Sequence, residues 1–457
     1  MSSRLHVDLD LIRKYDVPGP RYTSYPTAVE FTERFSHHEL LRDLRASNRS
    51  QRPLSLYFHL PFCESLCWFC GCTTIIGRDR DRADTYLDYL DKELSLTAKE
   101  LHPGSRVVQV HFGGGTPNFL SPRQIARLAT MLREHFLLEA DAEIGVELDP
   151  RRLTLEQVEA FRDLGANRAS FGIQDFDPAV QQAIHRIQPK EVSDRATEWI
   201  RRTGYQSLNL DLIYGLPRQT PASFARTLEL ALELEPDRFA VFSYAHMPRL
   251  KPAQKLLPMA EAPSPEDKLT MLKQGIETLT ERGYVYIGMD HFARQDDELA
   301  VAQRARTLQR NFQGYSTRAG VDIYGFGMSS ISQTTTHYRQ NDKTLDAYYA
   351  RLDAGQLPVA RARFLSDEDI LRREVIMRLM CDLSLDYRAL SKTLAVDFAD
   401  HFAPELAAFA GAAADGLVNV DENRLTVTES GRLLIRNLAM TFDAYLGKAE
   451  RHFSRTI

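Results

Sequence analysis

The sequence predicts an α/β fold: a partial (β/α)6 barrel of parallel strands with an N-terminal arm and a small helical, winged-helix-like C-terminal domain. Between residues 54 and 283, short apolar segments alternate with longer segments of helical period. Such alternation is typical of parallel strands joined by crossover helices. Polar residues and glycines also gather where the predicted strands end, which is where folds of this class carry their chemistry.

The sequence also predicts three parts of the chain. We expect residues 1–50 to form the arm, residues 51–364 the catalytic domain and residues 365–457 the C-terminal helical domain. Within the arm, residues 18–27 contain too much proline and glycine for a helix. We therefore expect an extended or turned segment at the surface, from which Arg21 and Tyr22 could reach a ligand.

The strands and helices of the catalytic domain follow from the apolar periodicity. His59 ends the first predicted strand and leads into a cysteine-rich loop, and Glu147 and Asp149 lie at the end of the third. The second strand ends in residues 113–117, Gly-Gly-Gly-Thr-Pro. Strands are predicted at 54–59, 107–112, 143–148, 168–173, 207–213 and 238–245, and helices at 81–100, 122–138, 155–165, 190–203, 221–235 and 265–283.

In the C-terminal part, the apolar spacing predicts an amphipathic helix over residues 367–382 and a hairpin around a turn at 421–423. A hairpin between helices resembles a winged helix, which often binds DNA. Because this part has more acidic than basic residues, we expect a packing or covering role instead. Cys381, in the middle of the predicted helix, is expected to be a buried structural thiol.

Composition excludes several classes of protein. The hydrophobic share of 43% and the charged share of 26% are ordinary for a globular protein, and the net charge of -5 opposes nucleic-acid binding by bulk charge. No run of about 18 apolar residues predicts a membrane span. The first ten residues include acids and lack the apolar core of a secretory signal. We expect a cytoplasmic protein.

Four of the five cysteines form one cluster, Cys63-x3-Cys67-x2-Cys70-x-Cys72. Four ligands within ten residues suit structural zinc poorly, because zinc sites usually pair ligands from two distant segments. A compact loop suits an iron–sulfur cluster better. If the loop is extended after Cys70, Cys72 points to the opposite side and a [4Fe–4S] cluster keeps one open iron. A fourth cysteine ligand would make it an electron-transfer centre instead.

These motifs resemble a known superfamily. The spacing of Cys63, Cys67 and Cys70, together with the glycine segment 113–117, resembles the radical S-adenosylmethionine (SAM) enzymes. Within it, essentially the whole chain resembles the oxygen-independent coproporphyrinogen III oxidase family. That closer resemblance lies in residues 19–27, in residues 60–63, in the extra Cys72, and in residues 288–292 and 311–315.

The resemblance implies a reaction. Enzymes of the family that the chain resembles cleave SAM at the open iron to form a 5′-deoxyadenosyl radical, which abstracts hydrogen from a propionate side chain. Loss of CO2 and one electron then leaves a vinyl group, and two such steps convert coproporphyrinogen III to protoporphyrinogen IX in haem biosynthesis. The resemblance implies two SAM molecules, a reducing donor such as flavodoxin or ferredoxin, and a monomer. Rival interpretations are a haem-binding chaperone and a haem-modifying radical enzyme of the same superfamily.

The resemblance also implies roles for particular residues. Cys63, Cys67 and Cys70 would hold the cluster, and Tyr57, Glu147 and Cys72 would be catalytic. Some positions have plainer alternatives: the aromatic residues and Ile331 could be core packing, and Asp211 a helix cap. His59 and His291 receive no role. The residues implied to contact SAM are Tyr57, Phe69, Gly114, Gly115, Thr116, Glu147, Gln174, Arg186, Asp211, Ala245, Phe312, Gln313 and Ile331.

Overall fold

The computed structural model describes residues 5–49, 51–447 and 453, so the first residues of the predicted arm and most of the last ten residues of the chain lie outside the described part. The strands in the described part are β1 (Leu54–Leu60), β2 (Phe62–Cys63), β3 (Ile75–Ile76), β4 (Arg106–Gly114), β5 (Leu137–Leu148), β6 (Arg168–Gln174), β7 (Ser207–Tyr214), β8 (Arg238–Ser243), β9 (Tyr284–Gly288), β10 (His291–Arg294), β11 (Gln309–Asn311), β12 (Gly314–Ser316), β13 (Asp322–Phe326), β14 (Ile331–Gln333), β15 (His337–Asn341), β16 (Val359–Phe364), β17 (Ser384–Asp386), β18 (Val418–Val420) and β19 (Arg424–Val427).

The helices surround the sheet and build the C-terminal part. They are α1 (Leu9–Tyr15), α2 (His37–Asn48), α3 (Asp81–Ala98), α4 (Pro122–His135), α5 (Leu155–Leu164), α6 (Pro178–Ala183), α7 (Lys190–Arg202), α8 (Pro221–Leu232), α9 (Pro265–Glu281), α10 (Glu298–Ala305), α11 (Leu345–Asp353), α12 (Asp367–Asp382), α13 (Tyr387–Leu394), α14 (Phe398–His401), α15 (Ala403–Ala408), α16 (Ala410–Ala414), α17 (Glu429–Leu433) and α18 (Ile435–Met440).

One large sheet organises the molecule, in the order β16-β15-β14-β13-β1-β4-β5-β6-β7-β8-β10-β9. The predicted parallel strands are confirmed: β1, β4, β5, β6, β7 and β8 pair in parallel with their neighbours. The structure adds a seventh parallel strand, β13, on the other side of β1. Antiparallel strands extend both edges, and the sheet stays open because β16 and β9 do not pair.

The crossover helices begin at defined residues. Ser121, Thr154 and Thr220 each cap the next helix, and in each case the third helical residue bonds back to the cap. Because these caps follow the loops at the carboxyl ends of β4, β5 and β7, they fix where each loop stops. The strand ends that carry the candidate functional residues are therefore followed by short connections with fixed ends.

The main core fills the space between the sheet and its helices. Phe58 on β1 stacks on Phe112 of β4 at 5.1 Å and on Phe326 of β13 at 5.3 Å between ring centroids, and all three rings are buried. These contacts tie the three central strands together. The predicted helix over 367–382 is confirmed as α12, and Cys381 on it is buried, as expected.

The arm differs from the expected surface segment. Residues 18–27 contain no helix, as predicted, but Tyr22 and Tyr25 are each only 2% exposed and belong to the core of the C-terminal helices. The buried Arg436 donates hydrogen bonds to the carbonyls of Gly19 and Pro20. The arm is therefore packed against the C-terminal part. The aromatic residues of the arm, rather than its proline and glycine content, indicate that the arm is buried.

Candidate active site

A cavity opens among the carboxyl ends of β1, β4, β5, β6 and β7, as the fold predicts. Its volume is about 170 Å³, and it opens to solvent. Most of the residues expected from the sequence line it. These are Cys63, Cys67, Phe69, Cys70, Cys72, Gly114, Gly115, Thr116, Glu147, Gln174, Arg186 and Asp211.

The cysteine loop closes on itself at the end of β1. Strands β2 and β3 pair in parallel, so that Ile75 N donates to Pro61 O at 2.8 Å and Gly77 N donates to Cys63 O at 3.0 Å. Cys63, Cys67 and Cys70 are thereby held on one wall of the cavity. Burial, with added repulsion from the charges of Cys70 and Cys67, raises the pKa of Cys63 to about 12. A bound cation would be needed to hold this thiol as a thiolate.

Cys72 does not point to the opposite side from Cys70, and that expectation was wrong. The chain bends at Cys72 instead of running extended, its amide donates to Cys70 Sγ at 3.4 Å, and its side chain lines the same cavity. A hydrogen bond between the two thiols lowers the pKa of Cys70 and raises that of Cys72. The structure therefore makes Cys70 the better thiolate of the pair.

Two arginines surround Cys67. Arg151 Nη2 lies 3.5 Å and Arg186 Nη1 3.6 Å from Cys67 Sγ, so both guanidinium groups donate toward the same sulfur. Arg151 also pairs with Asp149 at 2.6 Å, and Arg186 lies 3.4 Å from the same carboxylate. Although burial opposes it, the charges of Arg186 and Arg151 lower the pKa of Asp149 to about 2. This ion cluster therefore directs two guanidinium donors at one sulfur.

The glycine segment is shaped by the cysteine loop beside it. Gly115 N donates to Leu60 O at 2.8 Å, and Thr116 N donates to Phe62 O at 2.9 Å. A Cβ at Gly115 would lie 2.6 Å from Pro61 and Phe62 backbone atoms. Side chains are therefore excluded here by the protein itself, and the backbone of the segment is presented to the cavity.

Tyr57 lies behind the cavity in a chain of polar contacts. Its hydroxyl donates to His59 Nδ1 at 3.1 Å, because His59 Nε2 must donate to the Thr73 carbonyl at 2.9 Å. The Tyr57 ring stacks on His111 at 6.0 Å between ring centroids. Burial raises the pKa of Tyr57 and lowers that of His59, so both remain neutral.

Glu147 connects that chain to the glycine segment. Its carboxylate accepts from His111 Nε2 at 3.0 Å and from Gly114 N at 3.3 Å. Burial favours its neutral form, but the hydrogen bonds from His111 and Gly114 and the electrostatic influence of His111 together outweigh burial and lower its pKa. Glu147 is therefore an ionised acceptor with its side chain still 45% exposed. It can accept from an ammonium or hydroxyl group of a ligand.

Asp211 and Gln174 form the far wall of the cavity. Burial, with repulsion from Glu147, raises the pKa of Asp211 to about 7, although Asn209 donates to it at 2.7 Å. Gln174 has a left-handed backbone, with φ of 68°, and its amide packs over Gly172. Asp211 is therefore not a helix cap, since it sits inside β7 and faces the cavity.

Besides Tyr57, four expected residues lie outside this lining. Ala245 adjoins the cysteine loop through Gln254, whose amide donates to Ala245 O at 3.3 Å and to Phe69 O at 3.0 Å. Phe312 packs edge-on against Phe31 of the arm. The remaining two are Gln313, which has a buried amide nitrogen without a partner, and Ile331 on β14, whose backbone carbonyl lies close against Gly325.

The sequence left several residues of the site without a role. Asp149 was noted only as a strand end, and Arg151, His111 and Lys251 were not singled out. Arg151 lies two residues beyond Asp149, a spacing that could have suggested an ion pair. His111 alternates with Phe112 along β4 and could have been assigned to the cavity face. Lys251 reaches Cys72 O from a distant segment, which no local pattern reveals.

The donor set fits an iron–sulfur cluster with SAM. Three thiols on one wall supply cluster ligands, and two guanidinium groups supply the hydrogen bonds that sulfur ligands of such clusters receive. The exposed backbone of the glycine segment and the ionised Glu147 supply donors and acceptors for an amino acid. The cavity also extends beyond the thiols to Asp211, which leaves room for more than the cluster.

Comparison with known proteins defines the class first. The family model of the radical SAM superfamily matches residues 57–231, which contain the cysteine loop, the glycine segment and Asp211. The HemN C-terminal domain model matches residues 365–434. The fold and the site thus place the chain in the radical SAM superfamily, with a [4Fe–4S] cluster and SAM as its cofactors.

Full-length relatives then give the particular family. The oxygen-independent coproporphyrinogen III oxidase of Escherichia coli is 49% identical over 98% of both chains. The protein of the same name from Pseudomonas aeruginosa is 46% identical over the full length of both. The solved structure of coproporphyrinogen III oxidase (HemN) from Escherichia coli, a radical SAM enzyme, has a TM-score of 0.92 and 47% identity over 97% of this chain and 100% of that one. The chain belongs to the oxygen-independent coproporphyrinogen III oxidase family.

Proposed function

We propose that this chain oxidatively decarboxylates two propionate side chains of coproporphyrinogen III to vinyl groups, giving protoporphyrinogen IX. The observation that carries the proposal is the single cavity in which Cys63, Cys67 and Cys70 face the glycine segment. Membership of the family supplies the substrate. An open cavity at strand ends can admit a substrate beside the cofactors while the rest of the barrel excludes water.

In this proposal, Cys63, Cys67 and Cys70 hold the cluster, and Cys72 leaves one iron free. When bound, the cluster and SAM supply a 5′-deoxyadenosyl radical that abstracts hydrogen from the propionate. Arg151 and Arg186 stabilise the Cys67 thiolate by direct hydrogen bonds. The backbone of the glycine segment orients the methionine portion of SAM.

The remaining roles follow from the charges of the site. Glu147 would accept hydrogen bonds from the ammonium group or ribose of SAM, because it is ionised and exposed to the cavity. Tyr57 would hold His59 and His111 in place beside it. Gln174, Arg186, Asp211 and Ala245 would line a second SAM molecule, and Phe69 would contact the first. Further pocket positions would be Phe312, Gln313 and Ile331.

The test is anaerobic turnover. Reconstituted protein with SAM, dithionite and coproporphyrinogen III should release two molecules of CO2 for each protoporphyrinogen IX formed. Stable haem binding without SAM cleavage would instead identify a haem-binding chaperone and refute the proposal. Release of 5′-deoxyadenosine with haem consumption would identify a haem-modifying enzyme.

The cluster assignment has its own experiment. Replacing Cys63, Cys67 or Cys70 by Ser should abolish the iron–sulfur absorbance after anaerobic reconstitution, whereas Cys72→Ser should keep it. Cys72→Ser is a stringent control because its thiol lies beside that of Cys70. Equal loss from all four variants would show that Cys72 is a ligand.

The cellular setting is also a proposal. All five cysteines are free, which suits a reducing cytoplasmic compartment. Among the residues that the structure describes, no helix has the length and apolar character to cross a membrane. We further propose a monomer that receives electrons from flavodoxin or ferredoxin, and a division into an arm (1–50), a radical SAM domain (51–364) and a C-terminal domain (365–457). A hydrophobic core built mostly from residues after 365 supports the second boundary.

A further inference from the structure

An exposed apolar surface flanks the cysteine loop. Leu250 is 70% exposed and Leu256 56%, and both lie in the segment of residues 246–257 that follows β8. Ile187, after α6, is also 56% exposed. Large exposed apolar side chains that gather on one surface mark a candidate interaction site. We refer to Ile187, Met247, Arg249, Leu250, Lys255 and Leu256 together as the loop-side patch.

The 246–257 segment is bonded directly to the cysteine loop. Lys251 Nζ donates to Cys72 O at 3.0 Å, and the buried Gln254 donates to Phe69 O at 3.0 Å. On the α6 side, Trp68 N donates to Ile184 O at 3.0 Å, and His185 stacks on the Trp68 ring. A molecule seated on this surface would therefore contact segments that are hydrogen-bonded directly to the cysteine loop.

The same segment carries unneutralised positive charge. Arg249, Lys251 and Lys255 fall within seven residues, and residues 246–257 contain no acid. In the described part of the chain, no carboxylate lies within ion-pair distance, 4.0 Å, of any of the three. The whole chain carries a net charge of -5, so this positive field is local. Unpaired cations around apolar side chains attract an acidic protein surface.

We infer that the loop-side patch docks a small acidic one-electron carrier protein, and that the carrier reduces the cluster held by Cys63, Cys67 and Cys70. This inference rests on the proposed function, because that reaction consumes one electron from outside for each SAM cleaved. In the step itself the carrier loses one electron and the cluster gains it, and no bond forms or breaks. Electron-transfer encounters are small interfaces, below about 1,200 Å², for which a few apolar residues ringed by charge are sufficient.

The test separates the electron route from the catalytic cavity. The variant Arg249→Glu/Leu250→Ser/Lys255→Glu changes three exposed side chains that make no hydrogen bond to the cysteine loop. The reconstituted holoenzyme is titrated calorimetrically with oxidised flavodoxin at low and high salt, and turnover is driven either by reduced flavodoxin or by dithionite. We expect the Kd for flavodoxin to rise by about tenfold or more at low salt, with a smaller salt dependence. Flavodoxin-driven turnover should fall in parallel, while dithionite-driven turnover stays within twofold of the parent.

A matched control reverses charge elsewhere. Arg388→Glu/Lys392→Glu/Val420→Ser removes two exposed cations and one exposed apolar residue from the C-terminal part, and it should leave all three readouts unchanged. Unchanged flavodoxin affinity in the loop-side variant would overturn the inference. Equal loss of flavodoxin- and dithionite-driven turnover would also overturn it, because the patch would then serve the substrate route. If the proposed function itself were wrong, the parent protein would form no product with dithionite, so that outcome differs from a failure of the docking inference alone.

Discussion

Adding one methyl group at Gly115 should disable cluster assembly while leaving the fold intact. A Cβ at this position would lie 2.6 Å from Pro61 and Phe62 backbone atoms, and ordinary contact begins at 3.4 Å. The cysteine loop must therefore retreat by about 0.8 Å, because backbone cannot rotate away as a side chain can. Overpacking of this kind costs about 1–3 kcal/mol of unfolding free energy.

The functional loss should exceed the loss of stability. A misplacement of about 1 Å in a catalytic site can cost on the order of 100-fold in rate, and three cysteines would move together. We expect Gly115→Ala to bind substantially less iron per chain after anaerobic reconstitution and to turn over coproporphyrinogen III on the order of 100-fold more slowly.

Gly71→Ala is the matched control for this experiment. Gly71 lies inside the same loop between two cysteines, has no positive φ, and a Cβ there meets nothing within 4 Å. It should reconstitute and turn over as the parent does. Iron content, visible absorbance and chemical denaturation would be measured for both variants. Full iron loading and normal turnover in Gly115→Ala would refute the packing argument.

Three further predictions concern charge. Arg151→Gln should give the cluster a more negative midpoint potential, because the Cys67 sulfur loses a charged hydrogen-bond donor. A redox titration monitored by electron paramagnetic resonance would measure the potential, and an unchanged value would contradict the prediction. Asp211, with its pKa raised to about 7 from an ordinary 3.8, favours the folded state below about pH 4, and this advantage is lost as pH rises through 7. Asp211→Asn should therefore flatten the pH dependence of unfolding free energy between pH 4 and 7, and an unaltered profile would count against the shift. Glu93→Ala should cost on the order of 2–4 kcal/mol in urea unfolding, since the Tyr348 hydroxyl and Gly327 amide lose their buried acceptor, whereas Glu93→Gln should cost less.

The sequence was most informative where structure is local. The parallel strands and the helices between them lie close to their predicted bounds, because each is marked by its own apolar period and by a cap such as Ser121. β5 begins at Leu137, earlier than predicted, since its first residues pair with β4 beyond the apolar stretch. The antiparallel strands after β8 were not predicted individually, because each is only three to six residues long and so carries little apolar periodicity.

The same difference between local and long-range structure applies to the candidate site. The spacing of Cys63, Cys67 and Cys70 and the glycine segment could be found from sequence because each motif lies within one short stretch. The position of Cys72 could not, since it depends on a bend stabilised by the distant Lys251. Asp149 and Arg186 meet at Cys67 only because β5 and the chain after α6 approach each other in three dimensions.

The burial of the arm in the C-terminal core affects how the chain can be made. Tyr22 donates a hydrogen bond to Asp443 at 2.9 Å, and Arg436 donates to Pro20 O at 2.7 Å, across 421 and 416 residues respectively. During synthesis the arm leaves the ribosome before Arg436 and Asp443 do, so its aromatic residues remain uncovered while the residues between them are translated. Contacts of such separation also slow the final folding step. A protein shortened at its C-terminus should therefore expose Tyr22 and Tyr25 and become prone to aggregation during expression.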